Sequence, residues 1–296
     1  MKIKFQYAFT LIEMIVVVSI MGICAAILVP FMSRPFESYQ RLAQRAELVS
    51  LLDQTMQQIE RDVNNAVPNS LRVDGSAKHL ELMHASDVLR YRNAAGIDTP
   101  DSLFVSAPDN SFNVFGNLSG LKNATVVGRA VVYSSSPQIL YNAAVGLDVN
   151  GNRTTNPGVI TPHSVIATPD GALWEANIQL DARDTAFSFD PDFGTGSPRR
   201  LVYFMDTPVL YACSGVDNAG RGTMRRYANY APRAGMPGVP VSGATSALAL
   251  EHISYCNFNY DVGTAQRAGL LTINLELTSG QQTVRLIHQV PVLNAP

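Results

Sequence analysis

The feature that most constrains this chain is an apolar run from Phe9 to Met32 that contains a single carboxylate, Glu13. A helix needs about 20 residues to cross a bilayer, so the run is long enough to span one. A carboxylate at the centre of such a helix costs about 2.5–3.5 kcal/mol on insertion scales. Glu13 lies near one end, where snorkelling lowers that cost, yet an ionisable residue inside a membrane segment marks function by default. The residues before Phe9 include Lys2 and Lys4. An ordinary secretory signal could place its small-residue cut at Cys24-Ala25-Ala26, but its apolar core would then hold Glu13, and the run continues through Ile27, Leu28 and Val29. A lipoprotein signal needs a small residue before its cysteine, and Ile23 stands there. A plain anchor explains the length and leaves Glu13 unexplained.

Phe9-Thr10-Leu11-Ile12-Glu13-Met14, with the short basic leader before it, resembles the prepilin signal of type IV pilins and type II secretion pseudopilins. The resemblance implies cleavage by a prepilin peptidase between Ala8 and Phe9 and methylation of the new amine on Phe9. It makes Glu13 the fifth mature residue, the one that directs subunit assembly. Ala8 departs from the usual glycine but is still small. Pro30 falls where many pilins carry a helix-kinking proline.

The whole chain has 296 residues and a formal net charge of −2, with no cluster of Lys and Arg, so no nucleic-acid partner is expected. Only 16% of residues are charged, while Asn, Ser, Thr and Gly are plentiful, as in an exported, turn-rich β domain. Of three cysteines, Cys24 lies in the apolar run and reads as a small hydrophobe. Cys213 and Cys256 lie beyond it and are expected to form a disulfide in an oxidising compartment.

Past Pro30 and Pro35, where bends or local melting are expected, the pattern turns amphipathic. Leu42, Ala46, Val49, Leu52, Met56, Ile59, Val63 and Ala66 recur by threes and fours as one helical stripe, ended by Pro68. A helix packed on its own domain is the expected reading of most of that stripe. From Ser70 the period becomes two. His79–Met83 and Val88–Tyr91 read as strands around a turn at Ala85-Ser86-Asp87, with Leu103–Val105 and Val126–Tyr133 as further candidates. Asn142–Pro162 reads as loop. Within it Asp148-Val149-Asn150-Gly151-Asn152 imitates a calcium loop, but Arg153 occupies the required glycine position and no closing Glu follows, so a solvated turn is expected. Arg200–Met205 and Val209–Cys213 read as a hairpin about Asp206-Thr207-Pro208. Thr223–Tyr227, Ile253–Tyr260, Leu270–Leu277 and Thr283–Val292 read as strands, with a loop at Asn229–Gly243 and a turn at Thr278–Gln281.

Ile59–Val63, Ala66–Val73 and the C-terminal Leu286–Pro296 are similar to the MshO-type minor pilins of the mannose-sensitive haemagglutinin pilus system, which resemble the J-type minor pseudopilin in layout. The expected architecture is α+β and pilin-like, a long N-terminal membrane-spanning helix packed on an antiparallel β-sheet domain. Residues 1–8 would be leader, 9–67 helix (9–32 in the membrane, 36–67 amphipathic) and 68–296 a periplasmic β-rich domain.

The chain carries no Gly-x-Ser-x-Gly, no His-Glu-x-x-His and no phosphate loop ending in Gly-Lys-Ser/Thr. Gly194-Thr195-Gly196 reads as a turn, and His79, His84, His163, His252 and His288 are scattered without ligand spacing. The sequence therefore points away from an enzyme, a cofactor or a metal site. The resemblance implies a minor pilin that initiates or caps a type IV pilus of the MSHA kind. Its partners would be major and minor pilins, the prepilin peptidase, the inner-membrane assembly platform and membrane lipid. It would sit in the inner membrane with its domain in the periplasm, then in the pilus, at the tip on grounds of bulk. A minor pseudopilin of type II secretion and a tip adhesin are the alternatives.

Overall fold

A computed structural model describes residues 10–92, 110–116, 123–148, 150–154, 156, 158–170, 175–184, 187–189, 197–263 and 268–292. Ala8, Phe9, Leu103–Val105, Gly194-Thr195-Gly196 and the last four residues of the chain lie outside them. Two units are distinguished, Met1–Ser50 and Leu51–Pro296.

In the first unit the described residues form one helix, α1 (Leu11–Asn64), which extends past Ser50. Its backbone is helical through Pro30 and Pro35, so the local melting expected there does not occur. In apolar surroundings a broken helix would expose backbone groups that nothing else can satisfy.

In the second unit α1 contributes Leu52, Thr55, Met56, Ile59 and Val63, all buried. Each fully buried aliphatic side chain contributes about 1.5–3 kcal/mol. This part of the helix packs on an all-antiparallel sheet. The strands are β1 (Arg72–Val73), β2 (His79–Tyr91), β3 (Ser111–Phe115), β4 (Thr125–Val126), β5 (Arg129–Val131), β6 (Ile166–Asp170), β7 (Glu175–Gln179), β8 (Leu201–Ser214), β9 (Gly222–Ala228), β10 (Thr245–Asp261), β11 (Gly269–Ser279) and β12 (Gln282–Val292). A short helix, α2 (Pro137–Ala144), separates β5 from β6. The strand order is β12-β11-β10-β9-β8-β2-β3-β7-β6-β4, with β1 added beside β2 and β5 beside β8. This is the α+β, pilin-like layout expected.

The local differences have physical causes. Ala85-Ser86-Asp87 is an irregularity within one long strand rather than a turn, because β2 pairs with β8 on both sides of it and the register merely shifts between His84 and Asp87. The hairpin expected at Asp206-Thr207-Pro208 is likewise the middle of β8. Its first half pairs with β5 up to Met205 and its second with β9 from Leu210, so Pro208 falls where that edge has no ladder partner. Val126–Tyr133 divides into β4 and β5 around Gly128, where a Cβ would stand 1.9 Å from the Met205 carbonyl oxygen. The loop expected from Asn142 begins later, since Ser136 caps α2 through the Ile139 amide (3.3 Å) and Pro137 occupies its first turn.

The last two strands, β11 and β12, alternate in burial residue by residue, as a period of two requires. Ile273, Leu275 and Leu277 are buried, and Gly280 at φ +59 closes the β11–β12 hairpin between Ser279 and Gln282. The Asn229–Gly243 segment is a loop with a core of its own, since Tyr230 and Val241 pack with Leu210, Ala212 and Tyr227.

Candidate functional site

The N-terminal site starts with Thr10, which precedes the first helical residue of α1. Its hydroxyl accepts from the Glu13 amide (3.4 Å) and its carbonyl from the Met14 amide (3.3 Å). Thr10-x-x-Glu13 therefore stands at capping-box spacing. The first helical turn has orphan N–H groups and the positive end of the helix dipole, which favour a hydroxyl cap and a carboxylate there. Beyond Glu13 the helix is apolar on every side. Leu11–Leu28 has a mean hydropathy of 2.7, and none of these residues is buried within the protein. At 1.5 Å per residue that stretch is about 27 Å long, close to the thickness of a hydrocarbon core. The one hydroxyl in its first turns, Ser19, donates to the Ile15 carbonyl at 2.7 Å and exposes no unmet polar group. Cys24 is exposed with a free thiol.

The second unit fixes its own stretch of α1 to the sheet by charge as well as packing. Arg226 on β9 donates to Asp62 through Nε (2.7 Å) and Nη2 (3.3 Å), and the Tyr211 hydroxyl on β8 donates to the same carboxylate at 2.6 Å. Burial and the Asp62 charge push the Tyr211 hydroxyl far up, so it stays a donor. Thr55 donates to the Ala249 carbonyl of β10 (3.0 Å), and His288 on β12 lies 3.4 Å from Glu60.

A second polar group ties the 229–244 loop down. Glu81 is buried and accepts from Arg72 Nε (2.7 Å) and the Tyr230 hydroxyl (2.7 Å). Burial pushes its carboxyl up, and Arg72 offsets part of that rise. The Arg72 guanidinium also lies 3.5 Å from the Tyr141 ring centroid and donates to the carbonyls of Arg233, Ala234 and Gly235. Cys213 and Cys256 are joined, which links β8 to β10, the two strands that flank β9.

These groups are occupied with one another. The four histidines that carry acidic neighbours have different ones: His79 meets Asp74, His84 meets Asp206, His163 meets Asp184 and His288 meets Glu60. The His163–Asp184 pair would orient an imidazole for catalysis, but the nearby Thr161 hydroxyl donates to the His163 carbonyl and accepts from the Ala130 amide. Among the described residues no group of three or more His, Cys, Asp and Glu could hold a metal. Asp148 accepts from the Asn150 and Asn152 amides, as a turn residue does.

Glu13 is placed in the first turn of an exposed apolar helix. Pro30 sits in continuous helix, while Ala8 and Phe9 lie outside the described residues. Sequence reasoning passed over Thr10 as a cap, although Thr-x-x-Glu before an apolar run is its signature. It also passed over Asp62 and Arg226, which are far apart in the chain and carry no local mark.

Residues 3–29 match the prokaryotic N-terminal methylation motif, the type IV pilin-like prepilin signal. That motif indicates a type IV pilin or pseudopilin-like protein and implies membrane anchoring, processing by prepilin peptidase and assembly with other pilins. No curated protein and no solved structure matches the chain.

Proposed function

We propose that this chain is a minor pilin of an MSHA-like type IV pilus, a structural and non-enzymatic subunit that initiates or caps the filament. The observation that carries the reading is Glu13, a carboxylate one turn into a helix with no other charge through Leu28 and not buried by any described residue. Such a group is costly alone in lipid and is stabilised by a cationic partner. Cleavage between Ala8 and Phe9 supplies one, the methylated amine of Phe9, four residues before Glu13 in the sequence. An amine from a neighbouring subunit then fixes the register of docking, and Pro30 supplies a bend in the helix. A large domain follows the helix, with a sheet of up to seventeen-residue strands, and its bulk fits a terminal position better than a repeating shaft.

The same signal serves minor pseudopilins of type II secretion, which remain the second reading. The described loop residues give little support to a tip adhesin. Val145 and Val239 are the exposed large apolar side chains on the two long loops, and Tyr230 and Val241 are buried.

The test is Glu13→Gln, expressed as full-length chain beside its partner pilins. We expect normal leader removal by mass, normal membrane insertion and loss of partner pilins from the detergent-extracted complex. Recovery with partners at wild-type level would overturn the charge-pair mechanism. A mature start elsewhere than Phe9 would overturn the cleavage assignment.

A further inference from the structure

Where α1 ends, the second unit has a cleft of about 270 Å³ walled by Asn64, Asn65, Ser86, Asp87, Val88 and Tyr203. The helix stops at Asn64, and the Asn65 carbonyl accepts from the Ala85 amide of β2 at 2.8 Å. Beside that contact β2 and β8 lose register, so that Asp206 on β8 and then Ser86 on β2 are skipped. An extra residue of this kind bends its strand and re-aims side chains, as bulges do next to binding sites. The Ser86 hydroxyl donates to the Phe204 carbonyl (3.2 Å) and holds the irregular stretch against β8.

The lining is acidic. Asp87 supplies a carboxylate, Asn64 and Asn65 supply amide oxygens, and the last turn of α1 brings the negative end of its dipole. Among the described residues no Lys, Arg or His lines the cleft. Arg61 in the last turn of α1 and Arg199 near Tyr203 are exposed and lie outside the lining. Tyr203 adds a half-buried ring, and the face of an aromatic ring attracts cations. Pockets for whole small molecules hold about 300–1,000 Å³, so this smaller one suits a group the size of one long side chain.

We propose that this cleft binds a guanidinium group. Its planar fork of donors can bridge both oxygens of the Asp87 carboxylate while its face lies on the Tyr203 ring. An ammonium, a compact point charge, exploits neither feature. Binding here requires neither leader cleavage nor Glu13, so its failure would leave the pilus assignment untouched.

The experiment is isothermal titration of the full-length chain, in uncharged detergent at low salt, with N-acetyl-L-argininamide. Saturable binding at one site is expected, about tenfold tighter or more than for the uncharged N-acetyl-L-citrullinamide. Asp87→Asn, which keeps the shape and loses the charge, should weaken it about thirtyfold. Val88→Phe should weaken it as well, since Val88 is 47% exposed and a ring there narrows the cleft without entering the core. Asp53→Asn, which removes an exposed carboxylate of α1 outside the cleft, should change nothing. An unfolding midpoint at the wild-type value shows that each variant has folded. A free guanidinium compound and an arginine of a neighbouring protein share this chemistry. Excess N-acetyl-L-argininamide, or Asp87→Asn, should strip an arginine-bearing neighbour from the detergent-extracted complex, whereas a free ligand leaves that complex intact. No saturable binding by the wild-type chain, equal affinity for the citrulline amide, or tighter binding of N-acetyl-L-lysinamide would overturn the proposal. So would wild-type affinity in folded Asp87→Asn or Val88→Phe.

Discussion

Arg226 grips Asp62 with two donors, Nε to Oδ2 at 2.7 Å and Nη2 to Oδ1 at 3.3 Å, and so joins β9 to the last turn of α1. Both side chains are largely shielded, with 24% and 13% of their surfaces exposed. Tyr211 donates to the same carboxylate, so removing it strands a cation and a hydroxyl together. We expect Asp62→Ala to lower the stability of the domain by about 2–3 kcal/mol. Asp62→Asn, which keeps an acceptor, should cost less. Denaturant unfolding of the detergent-solubilised chain decides between them, and equal losses would show that packing rather than pairing is at stake.

Stability should also depend on pH through His84. Its Nδ1 lies 2.8 Å from Asp206 on the neighbouring strand, and that hydrogen bond raises its pKa above the ordinary 6.5, with Asp62 adding and Arg226 opposing. The folded state therefore holds the proton more tightly than the unfolded chain does. The stabilisation is complete below pH 6.5 and is lost as pH rises through the folded value. His84→Gln should flatten the stability profile over that window. An unchanged slope in the variant would assign the dependence to another group.

The disulfide closes a loop with a sequence separation of 43 between Cys213 and Cys256. Constraint of the unfolded chain by such a loop is worth about 4 kcal/mol in the entropy model. Replacing both cysteines with serine should lower the midpoint of unfolding, and dithiothreitol should do the same to the native chain but leave the double variant unaffected. A native midpoint that ignores reductant, with the bond shown to be open, would mean that the unfolded state is already ordered there.

How far the fold could be read from the sequence depended on how local its determinants are. The membrane run, Glu13, the hairpin at Gly280 and the alternation of Ile273, Leu275 and Leu277 are fixed by neighbours in the chain, and period and turn chemistry display them. Ala85-Ser86-Asp87 and Asp206-Thr207-Pro208 have turn composition, yet each lies within a continuous strand because β2 and β8 pair across both. Local composition does not separate a register shift from a reversal, since long-range pairing decides. The α2 helix had a Ser-Pro start to mark it, but its eight residues are too few for periodicity to stand out. Asp62 and Arg226 meet across a sequence separation of 164, which no local pattern encodes.

The first turn of α1 yields the last prediction. Thr10 holds the Glu13 amide through its hydroxyl (3.4 Å), and in lipid no water competes for that amide. Thr10→Val keeps the branched shape and removes the acceptor, whereas Thr10→Ser keeps the acceptor and removes a methyl group. Losing an N-cap acceptor costs about 1 kcal/mol, which corresponds to about fivefold faster exchange of the Glu13 amide through fraying of the turn. Hydrogen exchange of the full-length chain in nanodiscs reads this directly, with Thr10→Ser expected to match wild type. The same two variants connect the cap to assembly. A frayed first turn no longer fixes where the Glu13 carboxylate points, so Thr10→Val should recover fewer partner pilins than Thr10→Ser, with cleavage by mass unchanged in both. Faster exchange without loss of partners would show that docking reorders the turn and that the cap serves the free subunit. Wild-type exchange in Thr10→Val would show that Glu13 is held there by something other than Thr10.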